Sequence, residues 1–75
     1  MPDNIAVRAS IRVNGQDEPL AAATLSALLA EKEIDTGQRG IAVALNGAMV
    51  PRAAWAQTQL HPGDKVEIVR ARQGG

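Results

Sequence analysis

The group in this chain best placed to do chemistry is a backbone carboxyl, not a side chain. The sequence closes on Arg70-Ala71-Arg72-Gln73-Gly74-Gly75, and a strand-like run, Lys65-Val66-Glu67-Ile68-Val69, leads straight into it. Glycine has no Cβ, so its backbone can enter a slot too narrow for any other residue. Leaving the body as a flexible extended tail, residues 71–75 reach roughly 15 Å at 3.3–3.6 Å per residue, which sets the Gly75 carboxylate clear of the folded part. A carboxylate is a poor electrophile and must be activated before it can accept another group. Two final glycines also fit an ordinary frayed end, so the weight falls on what precedes them.

The side chains offer no rival constellation. His61 is the sole histidine and sits beside Pro62 in a turn, where a surface structural role is expected. Asp64 and Glu67 are three apart on a strand and point to opposite faces, unlike the paired carboxylates of an acid/base site. Asp64 is expected to bond turn amides instead. With no Cys there is no disulfide, thiolate metal site or cysteine nucleophile. Neither a phosphate-cradling glycine loop nor a metal-ligand spacing is present, so no metal site and no cofactor bound by this chain are expected. Trp55, the only aromatic, is expected to plug the end of the core in preference to touching a partner.

Seventy-five residues, 45% hydrophobic and 21% charged, imply one small globular domain over residues 1–75. Its core must be aliphatic, since Phe and Tyr are absent. The formal net charge is zero but unevenly spread. Residues up to Thr36 sum to −3, and those from Gly37 on, including Arg39, Arg52, Lys65, Arg70 and Arg72, sum to +3. A basic end favours acidic partner surfaces or nucleotide phosphates. Without stacking aromatics beside the charges, nucleic acid is not an expected partner. No apolar run approaches a membrane span and no basic-then-apolar leader opens the chain, so a cytoplasmic protein, monomeric when free, is expected.

The elements that must position the tail can be read in order. Ile5, Val7, Ala9, Ile11 and Val13 alternate with more polar residues, predicting a strand with one buried face. Asn14-Gly15 is a hairpin signal, because both residues tolerate positive φ. The returning strand, about Gln16 to Leu20, contains Pro19 and should lie at an edge. Thr24 is a candidate N-cap, and Leu25, Leu28 and Leu29 share one helical face. The helix is predicted over about Leu25 to Ile34, with Gly37 as its stop. Ile41 to Leu45 reads as a central strand, Asn46-Gly47 as a second hairpin and Met49-Val50 as its return. Arg52 to Gln59 could be a turn of helix or a strand, and His61-Pro62-Gly63-Asp64 is turn chemistry. One helix covers one sheet face, predicting an α+β fold: a β-grasp, or ubiquitin-like, mixed sheet of four to five strands with the helix packed across one face. The crossover should run the third strand parallel to the first.

With this order set down, the chain resembles the ThiS family, small sulfur carrier proteins of thiamine biosynthesis. The resemblance rests on Val13-Asn14-Gly15, Thr24-Leu25 with Leu28-Leu29, Val43 to Gly47, Val50-Pro51-Arg52 with Trp55, Leu60, Gly63-Asp64, Val66 to Ile68 and Gly74-Gly75. It covers about residues 11 to 75, and the Val-Pro-Arg-x-x-Trp stretch beside a final Gly-Gly is its specific part. Such carriers usually open near the equivalent of Ile11, so the first ten residues depart from the pattern and lengthen the first strand or form an arm.

The resemblance implies a carrier, not an enzyme. An E1-like adenylyltransferase spends ATP to make a Gly75 acyl-adenylate, sulfur from a partner cysteine persulfide gives a Gly75 thiocarboxylate, and thiazole synthase receives that sulfur. Gly74 and Gly75 then supply thin access to the nucleotide. Arg70, Arg72 and Gln73 are candidates for guiding the tail, with strand-end solubility the plain alternative for the arginines. Docking is expected on the sheet face away from the helix, where Arg12, Ala42, Ala44, Glu67 and Val69 should lie. Rival readings are a carrier of the molybdopterin synthase small-subunit type, a ubiquitin-like protein modifier, and a plain interaction domain with an inert tail.

Overall fold

A computed structural model describes residues 9–37 and 39–70. Among them five strands form a single mixed sheet: β1 (Ser10–Val13), β2 (Gln16–Pro19), β3 (Ile41–Leu45), β4 (Ala48–Val50) and β5 (Lys65–Arg70), in the order β2-β1-β5-β3-β4. Helix α1 (Leu25–Glu31) and a 3-10 helix (Arg52–Gln57) complete the described elements. The predicted β-grasp fold is what the chain adopts. The strand expected from Ile5 is described only from Ser10, and its earlier part lies outside the described residues, as does the tail 71–75.

Both Asn-Gly pairs turn hairpins. Asn14 and Gly15 have φ of 49° and 84°, and Asn46 and Gly47 have 52° and 87°, the left-handed values a two-residue turn demands. Their registers follow: Val13 faces Gln16, and Leu45 faces Ala48. Pro19 sits on β2 at the sheet edge, where its missing N–H costs no ladder bond.

One prediction about the sheet is corrected. The third strand does not run parallel to the first, because the inner flank of β1 is taken by β5. β1 pairs β5 in parallel, and β5 pairs β3 antiparallel, so β3 runs opposite to β1. The crossover rule governs a parallel pair, and here that pair joins the first strand to the last.

The helix also ends earlier than predicted. It stops at Glu31, and Glu33, not Gly37, takes the left-handed conformation with φ 60°. The Ile34 N–H donates to the Leu29 carbonyl at 2.9 Å and the Glu33 N–H to that of Ala30 at 3.0 Å, the paired bonds of a Schellman motif. Burial of Ile34 in the same core as Leu29 supplies the apolar anchoring that commonly accompanies this motif and offsets the cost of a non-glycine residue there. At the other end Thr24 caps as expected, its Oγ1 accepting from Ala27 N–H at 3.1 Å. The Leu25 N–H donates to Thr58 O at 3.0 Å, tying the helix start to the segment after the 3-10 helix.

Leu25, Leu28 and Leu29 form the helix side of the core against Ile11, Val13, Ile41, Val43 and Val66. Trp55 closes one end at 2% exposure, its Nε1–H donating to the Val50 carbonyl at 2.9 Å. The Arg52 guanidinium lies 4.8 Å from the Trp55 ring centre, and Pro51, at φ −63°, begins the 3-10 helix. The Val-Pro-Arg-x-x-Trp stretch is therefore a packing device: carbonyl acceptor, helix starter, ring cover and ring.

Candidate functional site

The site is assembled around β5, the strand that runs out toward the C-terminus. It is central, with β1 on one flank and β3 on the other. Its start is anchored through the second hairpin turn: Asn46 N–H donates to Lys65 O at 2.7 Å, and Asn46 Oδ1 accepts from Lys65 N–H at 2.9 Å. Asn46 Nδ2 donates to Asp64 Oδ1 at 3.0 Å, while Asp64 Oδ2 accepts from the His61 N–H at 2.8 Å. Asp64 thus bonds a turn amide as its position suggested. The His61 ring, 69% exposed, stands 3.8 Å from that carboxylate.

Residues directly opposed across a ladder share a face, so the registers sort the side chains. Ala42 faces Val69, Ala44 faces Glu67 and Met49, and Arg12 faces Lys65 and Asp17. All lie on the face away from α1. Toward β1 and β2 this face is charged, with Arg12 Nε donating to Asp17 Oδ1 at 3.1 Å. Toward β3 and β4 it is mostly apolar, with Ala42, Ala44, Met49 at 67% exposure and Val69 at 60% beside the exposed Glu67. Val69 lies next to Arg70, so the apolar patch adjoins the last described residue of β5.

The structure brings Arg12 and Val69 onto this open face but sets Arg70 on the other. Arg70 faces Ile41 across the ladder and lines a groove of about 300 Å³ on the helix side with Asn14, Glu18 and Lys32. Lys32 Nζ lies 2.7 Å from Glu18 Oε2 there, joining the helix end to the edge strand. Arg72, Gln73, Gly74 and Gly75 lie outside the described residues. Met49 is the patch member that sequence reasoning missed. Counting back across the two-residue Asn46-Gly47 turn puts it opposite Ala44, and that was the available signal. Among the described residues no group of three or more potential metal ligands occurs, and no helix is long and apolar enough to cross a membrane.

A mixed sheet with a helix across one face, and an exposed apolar patch beside the last described residues of a central strand, is the arrangement of the ubiquitin-like, β-grasp class. The ThiS family model matches residues 11–75, and the chain belongs to that family. The family is one of sulfur carriers, not enzymes. The crystal structure of the thiamine biosynthesis protein ThiS from Geobacter metallireducens superposes with a TM-score of 0.71 at 28% identity, over 88% of this chain and 99% of that one. A thiazole synthase from Paramagnetospirillum magneticum is 39% identical over 64 residues, 84% of this chain. The chain spans only 19% of that curated relative's length.

Proposed function

We propose that this chain carries sulfur on its Gly75 carboxyl for building the thiazole ring of thiamine. An E1-like adenylyltransferase in the cytoplasm joins the carboxylate to the AMP portion of ATP and releases pyrophosphate. The outer sulfur of a partner cysteine persulfide displaces AMP from the acyl carbon, and a thiol then cleaves the sulfur–sulfur bond to leave a Gly75 thiocarboxylate. That sulfur is a strong nucleophile, and thiazole synthase takes it up. ATP belongs to the activating partner.

The observation that carries this reading is the placement of β5. A strand held on both flanks ends at Arg70, and Ala71-Arg72-Gln73-Gly74-Gly75 follow it in the sequence, so a fixed body precedes a thin, glycine-ended segment. The patch of Ala42, Ala44, Met49 and Val69 supplies a docking surface next to that exit. Arg70 and Arg72 steer the tail toward an acidic rim or the nucleotide phosphates. Family membership and the thiazole synthase relative favour the thiamine pathway over a molybdopterin-type carrier.

The test is intact-mass measurement after incubation with a ThiS-activating adenylyltransferase, ATP and a persulfide donor. The expected result is exchange of one oxygen for one sulfur, localised to Gly75 by fragmentation and absent when Gly75 is deleted. An unchanged mass, with an enzyme that loads its own carrier in the same tube, overturns the proposal.

A further inference from the structure

Turn geometry explains only part of Asn14. A left-handed residue is required there, and glycine would meet that need at least as well. The Asn14 side chain, however, reaches 54 positions along the sequence. Its Oδ1 accepts from the Ile68 N–H at 2.8 Å, and its Nδ2 donates to the Ile68 carbonyl at 3.3 Å. Its own N–H donates to Val66 O at 2.9 Å. A primary amide offers a carbonyl oxygen and an N–H side by side, so here it copies the N–H and C=O that one residue of a neighbouring strand would turn toward Ile68.

The place of this copy matters. Backbone pairing of β1 with β5 ends at Val13 opposite Val66, whereas β3 holds β5 out to Ile41 opposite Arg70. Without Asn14, the β1 flank of β5 would be open from Ile68 onward. With it, the strand is gripped on both flanks through Ile68, two residues before its end. Asn46 makes the matching grip on Lys65 at the start of β5.

We propose that Asn14 is a positioning residue for the tail: its side-chain amide adds the last rung on the β1 flank and so fixes where, and in what direction, the chain leaves the sheet for the activating enzyme. The proposal rests on the carrier reading above. Asn14→Gly keeps the turn and removes the rung. Asn14→Asp keeps the acceptor for the Ile68 N–H but sets a carboxylate oxygen against the Ile68 carbonyl.

Two measurements on the full chain decide it. In hydrogen exchange the Ile68 amide should exchange about threefold to tenfold faster in Asn14→Gly, the equilibrium effect of one neutral hydrogen bond, with the Leu29 and Val43 amides unchanged. In adenylation assays KM for the carrier should rise by a similar factor while kcat holds, because the enzyme must order the exit itself. Asn14→Asp, which keeps the acceptor, should speed Ile68 exchange less than glycine does while still raising KM, and it serves if the glycine variant folds poorly. Unchanged Ile68 exchange reduces Asn14 to a turn former and overturns the proposal. Faster exchange with unaltered KM and kcat overturns it too, leaving a clamp on the fold with no part in delivery. A wild-type chain that is never adenylated removes the carrier reading, and this proposal with it, whatever Ile68 does.

Discussion

Val66 and Val69 stand three residues apart on the same strand, one 1% exposed and the other 60%. Val66 lies under Leu25, Leu28 and Leu29 with Ile11, Val13 and Val43. Val69 lies on the opposite face with Ala42, Ala44 and Met49, covered by nothing within the described residues. A strand turns successive side chains to opposite faces, so a few strands can hold a domain together on one side and present a contact surface on the other. The difference is one of burial: apolar residues toward the helix make the core, while Met49 and Val69 on the open face stay exposed, which is what the proposed docking surface requires.

The comparison can be broken from its strongest side first. Trp55→Ala should cost about 3–5 kcal/mol of stability in chemical denaturation, because it empties the end of the core and leaves the Val50 carbonyl without its donor. Val66→Ala should cost about 2 kcal/mol through lost burial and the space left behind. An equal loss on Val69→Ala would mean that the two faces are not functionally distinct. Glu33→Gly should stabilise by up to about 1 kcal/mol, since glycine takes the left-handed cap conformation without the Cβ cost, and thermal melting reads the rise. The smallest stability effect belongs to Met49→Gln and Val69→Ser, each within about 0.5 kcal/mol. In calorimetric titration each should nevertheless weaken binding to the adenylyltransferase at least about fivefold, the effect of an interface residue worth about 1 kcal/mol.

What the sequence made legible follows the range of the interaction. The Thr24 cap, the two Asn-Gly turns, the edge position of Pro19 and the leucine stripe of α1 are local signals, and each appears where expected. Gly37 misled because the helix end is decided by the burial of Ile34 in the same core as Leu29, which offsets the cost of a left-handed Glu33. The direction of β3 depends on β5 entering beside β1 more than fifty residues later, which no local pattern records. The same holds for the reach of Asn14 to Ile68, hidden behind a turn signal that already accounted for the residue. Arg52 to Gln57 gave no clear period because a short 3-10 helix has none that a few residues can display. Of the candidate site, the residues of β5 could be sorted by alternation, which sets Glu67 and Val69 on the open face and Arg70 with Val66 and Ile68 on the helix side. Gly74 and Gly75 lie outside the described residues, and the role proposed for them is read from residue type and family resemblance alone.

The most direct test of the account bypasses activation altogether. The chain is prepared by semisynthesis with a Gly75 thiocarboxylate and given to a thiazole synthase with its other substrates, without ATP or persulfide. The account predicts that the carrier returns to the carboxylate form, by mass, with one thiazole product formed for each sulfur lost. A thiocarboxylate that stays intact, while the same synthase consumes the sulfur of its own carrier, would contradict it.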